Sequence, residues 1–170
     1  MYPHSFAKQA DYASYDMSAP PGRTWRYYTG KPLFKFAHGL SLTEFTLTCD
    51  GFKPPSTGRS VGQSSIEGAL DCLVKNTGSR DGDEVVFLFA AAGADVRSAA
   101  RHPVPLRSLV DFQRVSIPKV QSVKVQFVIQ PSALELIDEF GEPRLYPGRH
   151  SFIASRGHGL ESIFNTTLVA

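Results

Sequence analysis

Apolar and polar side chains alternate with a period of two residues in several separate runs of this chain. The clearest run is VKVQFVIQ at positions 123–130, and similar runs lie at 45–49, 70–75, 151–155 and 160–168. Alternation of this kind turns one face of an extended strand toward a core and the other toward water. The pattern therefore predicts a set of short, half-buried β-strands.

Two further runs complete the predicted set of strands. Positions 85–89 read VVFLF, which is apolar on both faces and typical of a central strand. Positions 109–115 give one more strand, and turn residues such as Asn76-Thr77-Gly78 separate the runs. About seven short strands, with no helical stretch of 10–12 residues, predict an all-β sandwich of the immunoglobulin or fibronectin type III-like kind.

The size of the chain is consistent with one domain and one hydrophobic core, and its small net charge gives no indication of a nucleic-acid or membrane partner. The chain has 170 residues, of which 42% are hydrophobic, and its formal net charge is +2. A charge this small does not call for a nucleic-acid or membrane-surface partner. No apolar run approaches the roughly 20 residues of a membrane-spanning helix. We therefore expect neither nucleic acid nor membrane as a partner.

The sequence offers no complete catalytic, cofactor or metal site. Gly58-Arg59-Ser60-Val61-Gly62 matches the nucleophile elbow of serine hydrolases, but that elbow needs a strand-to-helix turn. Here the motif lies in a predicted loop at 50–65, and a second long loop is predicted at 90–105. The carboxylates at 81–84 and 135–142 lie at predicted turns, where acidic residues are common. No C-x-x-C pair or histidine at ligand spacing indicates zinc.

Two cysteines and one sequon are candidate modification sites. Cys49 and Cys72 lie on the predicted inward faces of their strands, so a disulfide is geometrically feasible if the strands are neighbours. Closing that loop would contribute about 3 kcal/mol to stability. Two free core cysteines remain an equal alternative. Asn165-Thr166-Thr167 fits the N-glycosylation sequon, which matters only in a secreted protein.

The first 24 residues carry more aromatic side chains than a free linker would. Tyr2, Phe6, Tyr12 and Tyr15 precede a proline- and glycine-rich segment at 20–22. We expect these residues to lie against the sandwich or against a neighbouring domain, because exposed aromatic clusters mark contact surfaces.

Several segments, taken in order, resemble one known domain. PGRTWRYYTG at 21–30 is similar to the motif P-G-x-T-Y-R-F-Y-x-G, and FKFAHGLSLTEF at 34–45 is similar to Y-x-F-G-x-G-L-S-Y-T-x-F, with Ala37 and Leu42 in place of the usual glycine and tyrosine. VKNTG, LVDFQRV, DEFG and YPGRH follow in matching order. These segments resemble the C-terminal fibronectin type III-like domain of glycoside hydrolase family three, of β-xylosidase or β-glucosidase type.

The resemblance implies a division of the chain and a role for it. It makes residues 1–24 a connector from an upstream catalytic domain and 25–170 the sandwich, with the family's catalytic residues lying upstream. The implied function is a non-catalytic accessory domain that braces the catalytic domains of a β-xylosidase-like, extracellular enzyme hydrolysing O-glycosyl bonds. The alternative is a carbohydrate-binding module that contacts xylo- or gluco-oligosaccharides. Trp25, Tyr27 and Tyr28 are the candidate docking or sugar-stacking residues in both cases.

Overall fold

The computed structural model describes residues 2–53 and 68–168. Three short helices and nine strands form in this part of the chain. The helices are α1 (Phe6–Gln9), α2 (Thr24–Tyr27) and α3 (Ala94–Ala99), with a 3₁₀ turn at Pro131–Leu134. The strands are β1 (Phe45–Cys49), β2 (Gly68–Asn76), β3 (Gly82–Ala92), β4 (Ser108–Ile117), β5 (Ser122–Ile129), β6 (Leu136–Ile137), β7 (Pro143–Arg144), β8 (Gly148–Ser155) and β9 (Ser162–Leu168).

Seven of these strands form two sheets that pack face to face. One sheet has the order β1-β2-β5 and the other β4-β3-β8-β9, and all neighbours are antiparallel. The two-residue strands β6 and β7 form a separate small hairpin. The arrangement confirms the predicted all-β fibronectin type III-like sandwich.

The core lies between the inner faces of the two sheets. Alternate residues of each strand enter it, as the period-two pattern predicts. The largest fully buried members include Leu70, Phe127 and Ile129 from the three-stranded sheet, and Val86, Leu88 and Phe152 from the four-stranded sheet.

The central strand β3 is buried on its outer face as well. Phe89 and its neighbour Ile153 on β8 point away from the sandwich core, yet only 2% and 8% of their surface is exposed. The cover comes from a segment that we call the N-terminal layer, residues 2–44, which contributes Trp25 and Phe36 to this face. The apolar character of both faces at 85–89 is thereby explained. The boundary between a connector at 1–24 and a sandwich at 25–170 stays a prediction.

The predicted loop at 90–105 is wrong over much of its length. Strand β3 continues to Ala92, which pairs with His150, and helix α3 follows directly. Val96 on that helix is fully buried, and the N–H of Gly93 donates to the carbonyl of Arg149. Six residues are too few to show a helical period, and the alanine-rich end of β3 lacks the bulky residues that mark strands.

Within the described residues, no helix has the length and apolar character needed to cross a membrane.

Cys49 and Cys72 lie directly opposite each other on β1 and β2. Their sulfur atoms are 2.06 Å apart and 23 residues separate them in the sequence. Both side chains face inward, as the alternation predicts.

We expect the Cys49→Ala/Cys72→Ala variant to lose about 3 kcal/mol of stability, because a crosslink of this loop length restricts the unfolded chain. Urea unfolding with and without a thiol reductant checks the prediction. Reductant should lower the stability of the wild type toward that of the variant and leave the variant unchanged. Two cysteines that remain free in the purified, air-exposed protein would contradict it.

Candidate functional site

An open groove of about 460 Å³ lies between the N-terminal layer and the outer face of the four-stranded sheet. Phe89, Ile153 and Ser155 line it from the sheet. Residues from 24–36 and Tyr2 line it from the N-terminal layer. The size falls within the range of about 300–1,000 Å³ that is usual for small-molecule sites.

Aromatic packing fixes the wall of the groove. The ring of Trp25 lies 5.0 Å from that of Phe36 and 5.4 Å from that of Phe89, measured between centroids. Tyr28 meets Tyr2 edge-on at 5.0 Å, and Tyr2 stacks on Phe6 at 3.9 Å. Such aromatic pairs stabilise the positions of the rings by more than the burial of apolar area alone contributes.

The segment at 21–30 folds back on itself to present these rings. The carbonyl of Pro21 accepts from the N–H of Thr29 at 3.0 Å, and Gly22 has a φ of +81°. A Cβ on Gly22 would lie 2.0 Å from the carbonyl oxygen of Tyr27. Only glycine allows this close turn.

The structure separates the three aromatic residues predicted as one site. Trp25 and Tyr28 both line the groove, whereas Tyr27 lines a different depression beside His102 and Asp138. Residues 25 and 28 share one face of a helical turn, while residue 27 points elsewhere. The guanidinium of Arg26 lies 5.9 Å from the centroid of the Tyr27 ring.

An ion pair that sequence reasoning missed lies in the groove. Arg107 Nη1 donates to Glu161 Oε1 at 3.0 Å, and the guanidinium also lies 5.4 Å from the centroid of the Phe89 ring. Both charged side chains are partly exposed. Since 54 residues separate Arg107 from Glu161, no local pattern in the sequence signals the pair.

The acidic turn at 138–142 has a structural role. Asp138 Oδ1 accepts from the N–H groups of Phe140 and Glu142 at 2.9 and 3.0 Å, and Oδ2 pairs with Arg144 Nε at 2.7 Å. The Glu142 N–H is the main reason that the pKa of Asp138 lies below its usual value. The Phe140 N–H, Arg144 and His102 lower this pKa further, and burial opposes them.

We expect Asp138→Asn to destabilise the protein at neutral pH by an amount that shrinks in acid. A lowered folded-state pKa gives stability that is present above the unfolded pKa, near 3.9, and is lost as pH falls through the folded pKa. Thermal unfolding of both proteins across pH 2–7 measures this, with the exposed neighbour Glu139→Gln as control. A wild-type advantage that stays constant below about pH 4 would contradict the assignment.

The remaining predicted sites lie apart from the groove or outside the described residues. Asn165 is exposed on β9, where its Oδ1 accepts from the Ser151 hydroxyl at 2.8 Å. The elbow motif with Ser60 lies outside the described residues. Among the residues that are described, no cluster of three His, Cys, Asp or Glu side chains suits a metal ion. The groove has the groups to hold a ligand by stacking and hydrogen bonding.

Comparison with known proteins identifies the domain type. A family model for the fibronectin type III-like domain matches residues 84–156. β-D-xylosidase 3 of Arabidopsis thaliana is 27% identical over 189 aligned residues, which cover 94% of this chain and 24% of the relative. An exo-1,4-β-xylosidase of Aspergillus oryzae is 30% identical over 146 residues, covering 76% of this chain and 18% of the relative. Residues 84–156 therefore match a fibronectin type III-like domain, and the chain is similar to one part of these longer xylosidases.

Solved structures agree on the fold of this fibronectin type III-like domain. It superposes on part of a β-glucosidase from Listeria innocua with a TM-score of 0.66 and 18% identity, covering 89% of this chain and 21% of that one. The chain spans only 18–24% of the length of the two xylosidases. Its match is therefore to one domain of much longer polypeptides.

Proposed function

We propose that this domain is a non-catalytic accessory part of a β-xylosidase-like glycoside hydrolase. In this role it packs against the catalytic domains of the same polypeptide and braces them, while the hydrolysis of O-glycosyl bonds takes place on residues outside this chain. The relatives are named as xylosidases and are four or more times longer, as the coverage of 24% or less implies. We also propose an extracellular location, on the basis of the family resemblance.

The observation that carries the proposal is the N-terminal layer. Its aromatic residues pack on the outer face of β3, and the carbonyl of Arg26 accepts from the N–H of Leu106 at 2.6 Å. Tyr2 and Phe6 join the same packing through Tyr28. A preceding domain would therefore be joined to a fixed surface rather than to a flexible linker.

Exposed leucines in two touching segments supply a surface for the contact. Leu40, Leu42 and Leu160 are 98%, 85% and 93% exposed. The two segments meet where a Cβ on Gly157 would lie 2.5 Å from the carbonyl oxygen of Ala37. Large apolar side chains that are exposed in neighbouring segments are typical of an interface. We propose that the catalytic part of the same polypeptide covers this surface, because the chain spans only 18–24% of the length of its relatives.

A pair of variants tests the brace. Leu40→Ser/Leu160→Ser should leave the melting temperature of the 170-residue chain unchanged, because both side chains are already in water. In the parent polypeptide the same change should lower the melting temperature of the catalytic domains by several degrees, because each leucine buried there is worth about 1.5–3 kcal/mol.

The control is Val128→Ser on the outward face of the three-stranded sheet, where the residue is 67% exposed. It should change neither protein. An unchanged parent melting temperature in the Leu40/Leu160 variant would overturn this surface as the brace.

Asn165 is proposed as a glycan attachment site under the same extracellular location. Its exposed position on the last strand supports access by the modifying enzyme. Expression in a eukaryotic secretory host should give an endoglycosidase-sensitive mobility shift that Asn165→Gln abolishes. Identical mobility of the wild type and the Asn165→Gln variant before digestion would show that Asn165 carries no glycan.

A further inference from the structure

We propose that the groove beside Trp25 is a binding subsite for a neutral pyranose oligosaccharide. This inference does not depend on the brace, since the groove and the exposed leucines are formed by different residues, with no leucine of that surface lining the groove. Sugar binding and bracing can each fail while the other holds.

The groove combines the two surfaces that a pyranose ring presents. A sugar ring has an apolar face of C–H groups and an edge of hydroxyls. Trp25 and Tyr28 line the groove with aromatic surface, and their packing against Phe36, Phe89 and Tyr2 holds them in place before a ligand arrives. Rigid aromatic rings bind without a large loss of conformational entropy.

The Arg107–Glu161 pair supplies hydrogen bonds of both kinds. The pair uses Nη1 and Oε1. In the described part of the chain, no hydrogen bond involves Glu161 Oε2 or the other guanidinium nitrogens of Arg107. A carboxylate oxygen accepts from one hydroxyl while a guanidinium N–H donates to its neighbour. Hydroxyls on adjacent ring carbons present this donor and acceptor combination.

The charge of the site favours a neutral ligand. Arg107 and Glu161 neutralise each other at 3.0 Å, so the groove gains little attraction for a phosphate or an ammonium group. Among the described residues, Lys35 is the one further charged side chain on the groove, and it is exposed. Screening by water weakens its field. A neutral, hydroxyl-rich ligand fits this combination better than an ion does.

The position of the tryptophan gives the test a direct readout. Trp25 is the one tryptophan in the sequence, so the intrinsic tryptophan fluorescence of the 170-residue chain reports on the groove alone. Titration with xylotetraose, and separately with cellotetraose, should shift or quench this emission in a saturable way. The expected dissociation constant is about 1 mM, because an open site makes few contacts. Amide chemical shifts should move at 24–36, Arg107 and Glu161.

Variants decide where the sugar binds. Glu161→Gln and Arg107→Met each leave the aromatic wall intact and should weaken binding about tenfold, the effect of losing one good hydrogen bond. Tyr27→Ala is the matched control, because Tyr27 is adjacent in sequence but lines the other depression, and its titration should equal that of the wild type.

Three results would overturn the proposal. The first is an absence of saturable change at ten times the expected dissociation constant, which would leave a polypeptide segment of the catalytic domains as the occupant. The second is binding that both charged variants retain at wild-type strength. The third is a set of shifts on the three-stranded sheet, which would place the sugar on the opposite side of the sandwich.

Discussion

Replacement of Asn76 by alanine is expected to lower the free energy of unfolding by about 3–4 kcal/mol, although the residue does not line the groove. Asn76 is fully buried at the end of β2. Its Nδ2 donates to the carbonyls of Arg80 and Ile117 at 2.7 and 3.0 Å. Its Oδ1 accepts from the Thr43 hydroxyl at 2.8 Å and the Gly78 N–H at 3.0 Å.

The size of the effect follows from the buried groups that the alanine variant would leave without a hydrogen-bond partner. Each buried donor or acceptor left without a partner costs about 1–3 kcal/mol, and water that enters the cavity recovers part of this. The four bonds also connect the N-terminal layer, the β2–β3 turn and the end of β4, so their loss should loosen all three.

Urea unfolding of the 170-residue chain measures the effect. Asn165→Ala is the control, because that amide is exposed and makes one side-chain bond, to Ser151; it should change stability by less than about 0.5 kcal/mol. A loss below about 1 kcal/mol at Asn76 would show that water replaces the amide.

The second large effect is expected at the buried ion pair between Glu84 and Arg156. Arg156 Nε lies 2.9 Å from Glu84 Oε2, and the two side chains are only 10% and 11% exposed. The same guanidinium donates to the carbonyl of Phe45 and contacts His158 Nε2 at 2.9 Å. Since β1 and β3 belong to different sheets, Arg156 joins the two layers of the sandwich.

Arg156→Met should destabilise the protein by about 3 kcal/mol, because it leaves the Glu84 carboxylate buried without its counter-ion. Adding Glu84→Gln removes that stranded charge, so the double variant should be more stable than the sum of the single losses predicts. A coupling energy of at least about 1 kcal/mol in this double-mutant cycle is the expected outcome.

An exposed pair on the same sheet provides the comparison. Arg114 and Asp83 are 2.7 Å apart, but their side chains are 70% and 42% exposed. Arg114→Met should cost less than about 1 kcal/mol, because water screens the pair. Equal losses at Arg114 and Arg156 would mean that burial does not determine the strength of either pair.

The strands were predictable because each is encoded within a few residues. Alternation located five of the seven strands of the sandwich, the apolar run at 85–89 located the central one, and the run at 109–115 gave the remaining one. The helix at 94–99 was missed because six residues do not establish a period. Asn76 was predicted only as a turn residue, since its partners Thr43 and Ile117 lie 33 and 41 residues away in the sequence.

The groove depends on the same kind of distant contact. Trp25 and Tyr28 were predicted as contact residues, but the Arg107–Glu161 pair and the separation of Tyr27 follow from the folded chain.

One departure from the family pattern has a physical meaning. Ala37, which replaces the usual glycine, has a φ of +63° in the left-handed region that favours glycine.

The N-terminal layer has a consequence for how this domain can be inherited. The first strand of the domain begins at Phe45, yet Phe89 on the four-stranded sheet is covered by Trp25 and Phe36, which precede that strand. A gene rearrangement that moved only the strands to another protein would carry an uncovered aromatic surface with them, and such surfaces aggregate. The segment that can be transferred to another protein as a stable unit therefore includes the N-terminal layer. The junctions of successful gene fusions should accordingly lie well before β1.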